Sequence, residues 1–127
     1  MILEQLPLAR QLEMVFRELR EELASIASGT IFVQIRNNII GKFGIKHDPV
    51  ATANGSWSGP QSGLSEQHQQ VLHRLGILSL QRKRWTHGEI RFQFALKNNA
   101  LLANVLMESN YNMANLLSAN KPAAGRR

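Results

Sequence analysis

Leu8, Leu12, Phe16, Leu19, Leu23 and Ile26 recur at spacings of three and four, which places them on one stripe of a helix running from Pro7 to Ala27. Pro7 suits a first helical position, where its missing N–H would have had no partner. Glu13 stands four residues before Arg17 in the favourable order, and Gly29 is placed to end the element. The seam, with Leu12, Phe16, Leu19 and Leu23 at its centre, is expected to pack on the protein's own core or on a partner such as a second copy.

Residues 30 to 46 carry two periods at once. Ile31, Ile35, Ile39 and Phe43 stand four apart, as on a helix, whereas the β-branched and aromatic content around Asn37-Asn38 reads as a hairpin. Gly41 and Gly44 would each cost a helix about 1 kcal/mol, which favours strands. From 47 to 63 periodicity is lost among Pro, Gly, Ser, Thr and Asn. This predicts a mobile loop, longer than is usual inside a compact domain, with Trp57 as an anchor for a partner or folded back on the core.

Val71, Leu72 and Leu75 mark a short middle helix that Ser65 caps and Gly76 is expected to stop. The period then shortens to two: Leu78 and Leu80, followed by Ile90, Phe92, Phe94 and Leu96, predict a second hairpin turning at Thr86-His87-Gly88-Glu89. Asn98 or Asn99 is read as the cap of a long last helix. Its apolar side would hold Leu101, Leu102, Val105, Leu106, Met113, Leu116 and Leu117, with Tyr111 supplying either a packed ring or a partner contact and Pro122 as the stop. The expected fold is α+β: long terminal helices, two β-hairpins and a short middle helix in one domain over 1–120, with a disordered basic tail over 121–127.

Charge changes this picture more than size does. The 127 residues carry a net +6, but residues 1 to 28 hold five acids against three bases, whereas the rest holds twelve bases against four acids. The excess belongs to the body and suits a polyanion or an acidic protein. Arg82, Lys83, Arg84 and Arg91 would gather near the tip of the second hairpin. A helix leading into a basic hairpin resembles the recognition helix and wing of winged-helix DNA-binding domains. The resemblance implies that the helix enters a groove while the wing meets backbone. On that expectation Arg82, Lys83, Arg84 and Arg91 contact phosphates, Arg74, Lys42 and Lys46 extend the patch, and Gln69, Gln70 and His73 approach base edges.

Other chemistry is expected to be absent. With no cysteine there is neither a disulfide framework nor a thiolate zinc site. His68 and His73 are five apart and form no helical metal pair. The glycines fit no phosphate-binding pattern, and Gly55-Ser56-Trp57-Ser58-Gly59 has tryptophan where a nucleophile elbow needs serine. No enzyme, cofactor or metal is expected. The first residues, Met1 to Gln5, lack a basic start and an apolar run, and no window approaches a membrane span, so a cytoplasmic protein is expected. The first expectation is a homodimeric regulator that binds nucleic acid; the alternative is a protein-binding adaptor or anti-activator that acts through its amphipathic helices.

Overall fold

The computed structural model describes residues 6–49, 52–53, 56–57 and 63–120. Helix α1 spans Leu8–Leu23 and leads to strands β1 (Ser28–Arg36) and β2 (Ile39–His47). Two-residue strands β3 (Thr52–Ala53) and β4 (Ser56–Trp57) pair with each other. Helix α2 (Glu66–Leu80) precedes strands β5 (His87–Lys97) and β6 (Ala100–Ser109), and helix α3 (Met113–Asn120) follows. The fold is α+β: a four-stranded antiparallel sheet, ordered β2-β1-β5-β6, carries α1 and α2 on one face. The expected tail over 121–127 and most of the loop expected over 47–63 lie outside the described residues.

The core is the face that the two helices share with the sheet. Leu12, Val15, Phe16, Leu19 and Leu23 come from α1 and Leu72 from α2; they bury Ile31, Val33 and Ile35 of β1 and Ile90, Phe92 and Phe94 of β5. Phe16 meets Phe92 edge-on at 5.6 Å between ring centres, an arrangement that aromatic quadrupoles favour. The α1 seam is therefore internal, and Leu12, Phe16, Leu19 and Leu23 offer nothing to a partner.

The chain repeats a helix–strand–strand unit. Each hairpin turns on two asparagines, Asn37-Asn38 and Asn98-Asn99, and all four have positive φ between 51° and 64°. Two consecutive left-handed residues make the turn whose twist matches that of the strands it joins, and asparagine tolerates that region better than most residues. Sixty-one residues separate the turns, and the same offset relates Ile31 to Phe92, which lie opposite one another in the β1–β5 ladder. The two units thus meet about a local two-fold at the middle of the sheet. Each helix holds its own hairpin by its first turn. The buried Gln11 amide donates to the carbonyls of Asn38 (3.3 Å) and Leu6 (3.0 Å) and accepts the Ile40 N–H (2.7 Å). On α2, Nε2 of His68 lies 3.2 Å from the Asn99 carbonyl. Nδ1 of the same ring accepts the Ser65 N–H while Ser65 Oγ accepts the His68 N–H, which completes a reciprocal cap.

Several expectations require correction. Helix α1 stops at Leu23, four residues short of Ala27, and Gly29 sits inside β1 opposite His47. Pro7 is the extended N-cap residue, just outside the helix. Helix α2 runs through Gly76 to Leu80, because Gly76 is needed for closeness: a Cβ there would stand 2.6 Å from Leu12 Cδ2 and 3.0 Å from Phe92 Cζ. Leu78 and Leu80 are consequently helical, and no turn forms at 86–89. The second hairpin is β5–β6, so the segment read as the start of a long last helix is a ten-residue strand, and α3 has only eight residues. Helix α2 is followed by the β5–β6 hairpin only after a connection from Gln81 to Thr86, and that hairpin turns at Asn98-Asn99, away from Arg82, Lys83, Arg84 and Arg91, so the expected helix leading directly into a basic-tipped wing is not found.

Replacing Gln11 by leucine keeps the volume but leaves the buried Ile40 N–H without its acceptor. The expected loss is about 2 kcal/mol, measured as a lower urea midpoint with an unchanged slope.

Candidate interaction surface

In antiparallel ladders directly opposed residues share a face, so the register assigns the side of the sheet that the helices leave open. It presents Thr30, Phe32, Gln34 and Arg36 from β1 and His87, Glu89, Arg91 and Gln93 from β5, with Leu102, Asn104, Leu106 and Glu108 from β6. On β2 the ammonium groups of Lys42 and Lys46 lie 5.9 and 6.0 Å from the centre of the Phe32 ring, one on each side of it along the strand. Arg91 is already engaged: its guanidinium is 3.3 Å from a Glu89 oxygen and 3.9 Å from a Glu108 oxygen. Glu89 in turn accepts the Gln34 amide at 3.0 Å.

The basic residues expected at one hairpin tip do not converge there. Arg82, Lys83 and Arg84 lie in the connection from α2 to β5, at the helix side of the sheet. There Lys83 Nζ sits 4.5 Å from the centre of the Trp85 ring and donates to Ser109 Oγ at 2.6 Å. Trp85 is buried, its indole N–H donates to the Ser79 carbonyl at 3.0 Å, and its ring covers Gly88. Arg82 and Arg84 are exposed. Arg91, Lys42 and Lys46 belong to the opposite face, so the sheet itself separates the two groups.

Nor does α2 offer the expected reading face. Gln69 is buried and its amide donates to the carbonyls of Arg20 and Leu64 at 3.2 and 3.3 Å, tying α2 to the end of α1. His73 packs its ring 5.4 Å from that of Phe16, and its Nε2 is buried without a hydrogen-bond partner among the described residues. Both were expected at base edges; both are spent between the helices. Gln70 and Arg74 are exposed on the helix layer, away from the open sheet face.

Apolar exposure is concentrated where the chain leaves β6. Tyr111 is 87% exposed, Met113 and Leu117 are each 64% exposed and Leu116 is 51% exposed. Asn112 caps α3, its side-chain oxygen accepting the Ala114 N–H at 2.8 Å. Beside this segment the open face of the sheet forms a wide concavity of about 980 Å³, whose wall includes Gln34, Arg36, Lys42, His87, Glu89 and Tyr111. A second cleft of about 490 Å³ runs between Thr86-His87 and the Met113–Leu116 side of α3. The side chain of Trp57, the other expected anchor, lies outside the described residues. Sequence reading singles out Tyr111 and places Met113, Leu116 and Leu117 on the apolar side of one long helix together with Leu101 to Leu106; it misses that β6 ends at Ser109 and leaves these three on a separate element, α3.

Among the described residues no three His, Asp or Glu side chains converge as a metal ion would require, and no helix is long and apolar enough to cross a membrane. Comparison with protein-family models, with curated proteins and with solved structures finds no match to this chain.

Gly88 is fixed by space: a Cβ would stand 2.2 Å from the Glu108 carbonyl oxygen and 2.7 Å from Trp85 Cζ3. Gly88→Ala should lower stability by about 3 kcal/mol through overpacking. Gly41→Ala, with nothing within 4 Å of the added carbon, should change it by less than about 0.5 kcal/mol. Urea denaturation of the two variants measures the difference.

Proposed function

We propose that the protein is a non-enzymatic adaptor that binds another protein through the concavity at the open sheet face and the apolar segment from Tyr111 to Leu117. One observation carries this reading: Tyr111, Met113, Leu116 and Leu117 are more than half exposed within one short segment that leads into and forms the start of α3. A contiguous apolar patch of that kind, rimmed by polar groups, is typical of a protein-binding site. Tyrosine at its edge supplies contact area with little entropy to lose. Arg36 and Lys42 outnumber Glu89 in the adjoining wall, so the partner segment suited to it brings apolar anchors together with carboxylates.

The test is photo-crosslinking with an ultraviolet-reactive amino acid at position 111, and with the same group at Arg74 on the helix layer as control. Adduct to a protein at 111 and none at 74 is the expected result. Tyr111→Ala combined with Leu116→Ser should weaken capture of that protein at least tenfold, equivalent to about 1.4 kcal/mol. Capture that survives this change, or that requires Arg74, removes the reading.

Binding of nucleic acid keeps one observation of its own, the pair of lysines flanking Phe32 on an open sheet, where a base could stack and phosphates could be met. If it holds, Lys42→Ala with Lys46→Ala should flatten the dependence of log affinity for single-stranded oligonucleotides on log salt by about 1.4. Replacing Arg82, Lys83 and Arg84 by alanine should leave it nearly unchanged. A salt titration that shows the reverse places any such contact on the helix side.

A further inference from the structure

The two edges of the sheet are built differently. Strand β2 carries a register shift opposite Val33–Ile35 and presents Lys42 and Lys46, features that discourage pairing with another strand. Strand β6 is regular over ten residues, pairs with β5 from Ala100 to Ser109 without a shift, and has Glu108 as its one charge. No described segment covers its outer side. The Asn110 N–H donates to the His87 carbonyl at 3.1 Å, and ladder bonds alternate along an antiparallel strand. The even-numbered residues of β6 therefore turn their N–H and C=O groups towards β5. Those of Leu101, Ala103, Val105 and Met107 point outwards.

We infer that the chain forms a two-fold dimer in which β6 pairs antiparallel with β6 of a second copy, centred on Asn104. The sequence of the strand selects this occupant because it is an apolar palindrome about that residue. Centring on Asn104 sets Ala103 opposite Val105, Leu102 opposite Leu106 and Leu101 opposite Met107 of the second copy, on both sides of the axis. Glu108 meets only Ala100, so no like charges are opposed. Leu102, Leu106 and Met107 are exposed large apolar residues, and this pairing sets Leu102 against Leu106 of the second copy on the open face and Met107 against Leu101 on the helix face.

Helix α2 supports the same edge. Gln69, His73 and Gly76 face α1. With about 3.6 residues per turn, Val71 and Leu78 fall on the opposite flank, the one directed past β6. Both are exposed, and a two-fold at Asn104 would bring the two α2 helices side by side along it. The outcome is one eight-stranded sheet with its open face continuous across the dimer. The inference does not depend on the adaptor reading.

The experiment exploits the absence of native cysteine. Asn104→Cys, oxidised in dilute solution, should give a disulfide-linked dimer, because directly opposed residues that share no ladder bond have Cα atoms about 4.5 Å apart. Leu102→Cys should not link to itself, since its copy lies four residues along, about 13 Å away. Sedimentation should show the parent as a dimer and Leu102→Lys/Leu106→Lys as a monomer with an unchanged circular dichroism spectrum. Leu102→Lys/Leu106→Glu, which sets opposite charges across the axis, should restore the dimer. A parent that stays monomeric at every concentration overturns the inference. So does a dimer that survives the double lysine change, or one that crosslinks at Leu102→Cys and not at Asn104→Cys.

Discussion

The pairing of β1 with β5 is the constraint from which the rest follows. A helix with two strands has too little apolar surface to stand alone, and an isolated hairpin is marginal in water. Setting Ile31 against Phe92 and Val33 against Ile90 in one ladder lets the two units share a core that neither encloses by itself. Once that ladder forms about a local two-fold, both helices must lie on the same face and run antiparallel. Leu12 then comes to Gly76, Phe16 to His73 and Arg20 to Gln69. The same arrangement leaves the other face of the sheet open and makes β2 and β6 its edges.

The latches between helix and turn give this duplication its precision. Gln11 in the first unit and His68 in the second both use the opening turn of a helix to hold the carbonyl of the second asparagine of a hairpin. The groups differ, yet the tie is the same. A buried glutamine is costly unless its amide is fully engaged, and Gln11 engages both its oxygen and its nitrogen. His68 instead does two jobs, closing the cap of α2 and reaching Asn99. Neither role is visible in hydropathy, since both residues read as ordinary surface polar groups.

What was legible in the sequence was local. The α1 stripe, the Ser65 cap and the Asn37-Asn38 turn each depend on residues within a few positions, and each formed where expected, give or take a helical turn. Glycine is ambiguous because its two uses look alike in a string: the pattern around Gly76 predicts a helix stop and that around Gly88 a turn. Both are places where another chain segment comes too close for a Cβ. The expected basic tip failed for a related reason. Neighbours in sequence between Arg82 and Arg91 end on opposite faces of the sheet, and Glu89 and Glu108 occupy the guanidinium that remains near the open side. A net charge counted along the chain therefore says little about where a field is concentrated; the topology decides that.

Strand β6 was hidden by its position. A strand with one face buried and one wet shows alternation, and β5 does so through Ile90, Phe92 and Phe94. At the sheet edge, with apolar residues on both faces, Leu101, Leu102, Val105 and Leu106 lose that alternation and fall instead into pairs four apart, the spacing of a helix. Alanine, leucine, methionine and asparagine add no β-branched bias to correct it. The Asn98-Asn99 pair carried the same turn signal as Asn37-Asn38, but asparagine also caps helices, and the helical spacing after it chose the wrong meaning. A strand that keeps apolar side chains on both sides while standing at an edge is unusual for an isolated domain. The feature that defeats sequence reading here is therefore a physical property of the edge, a surface patterned like an interior.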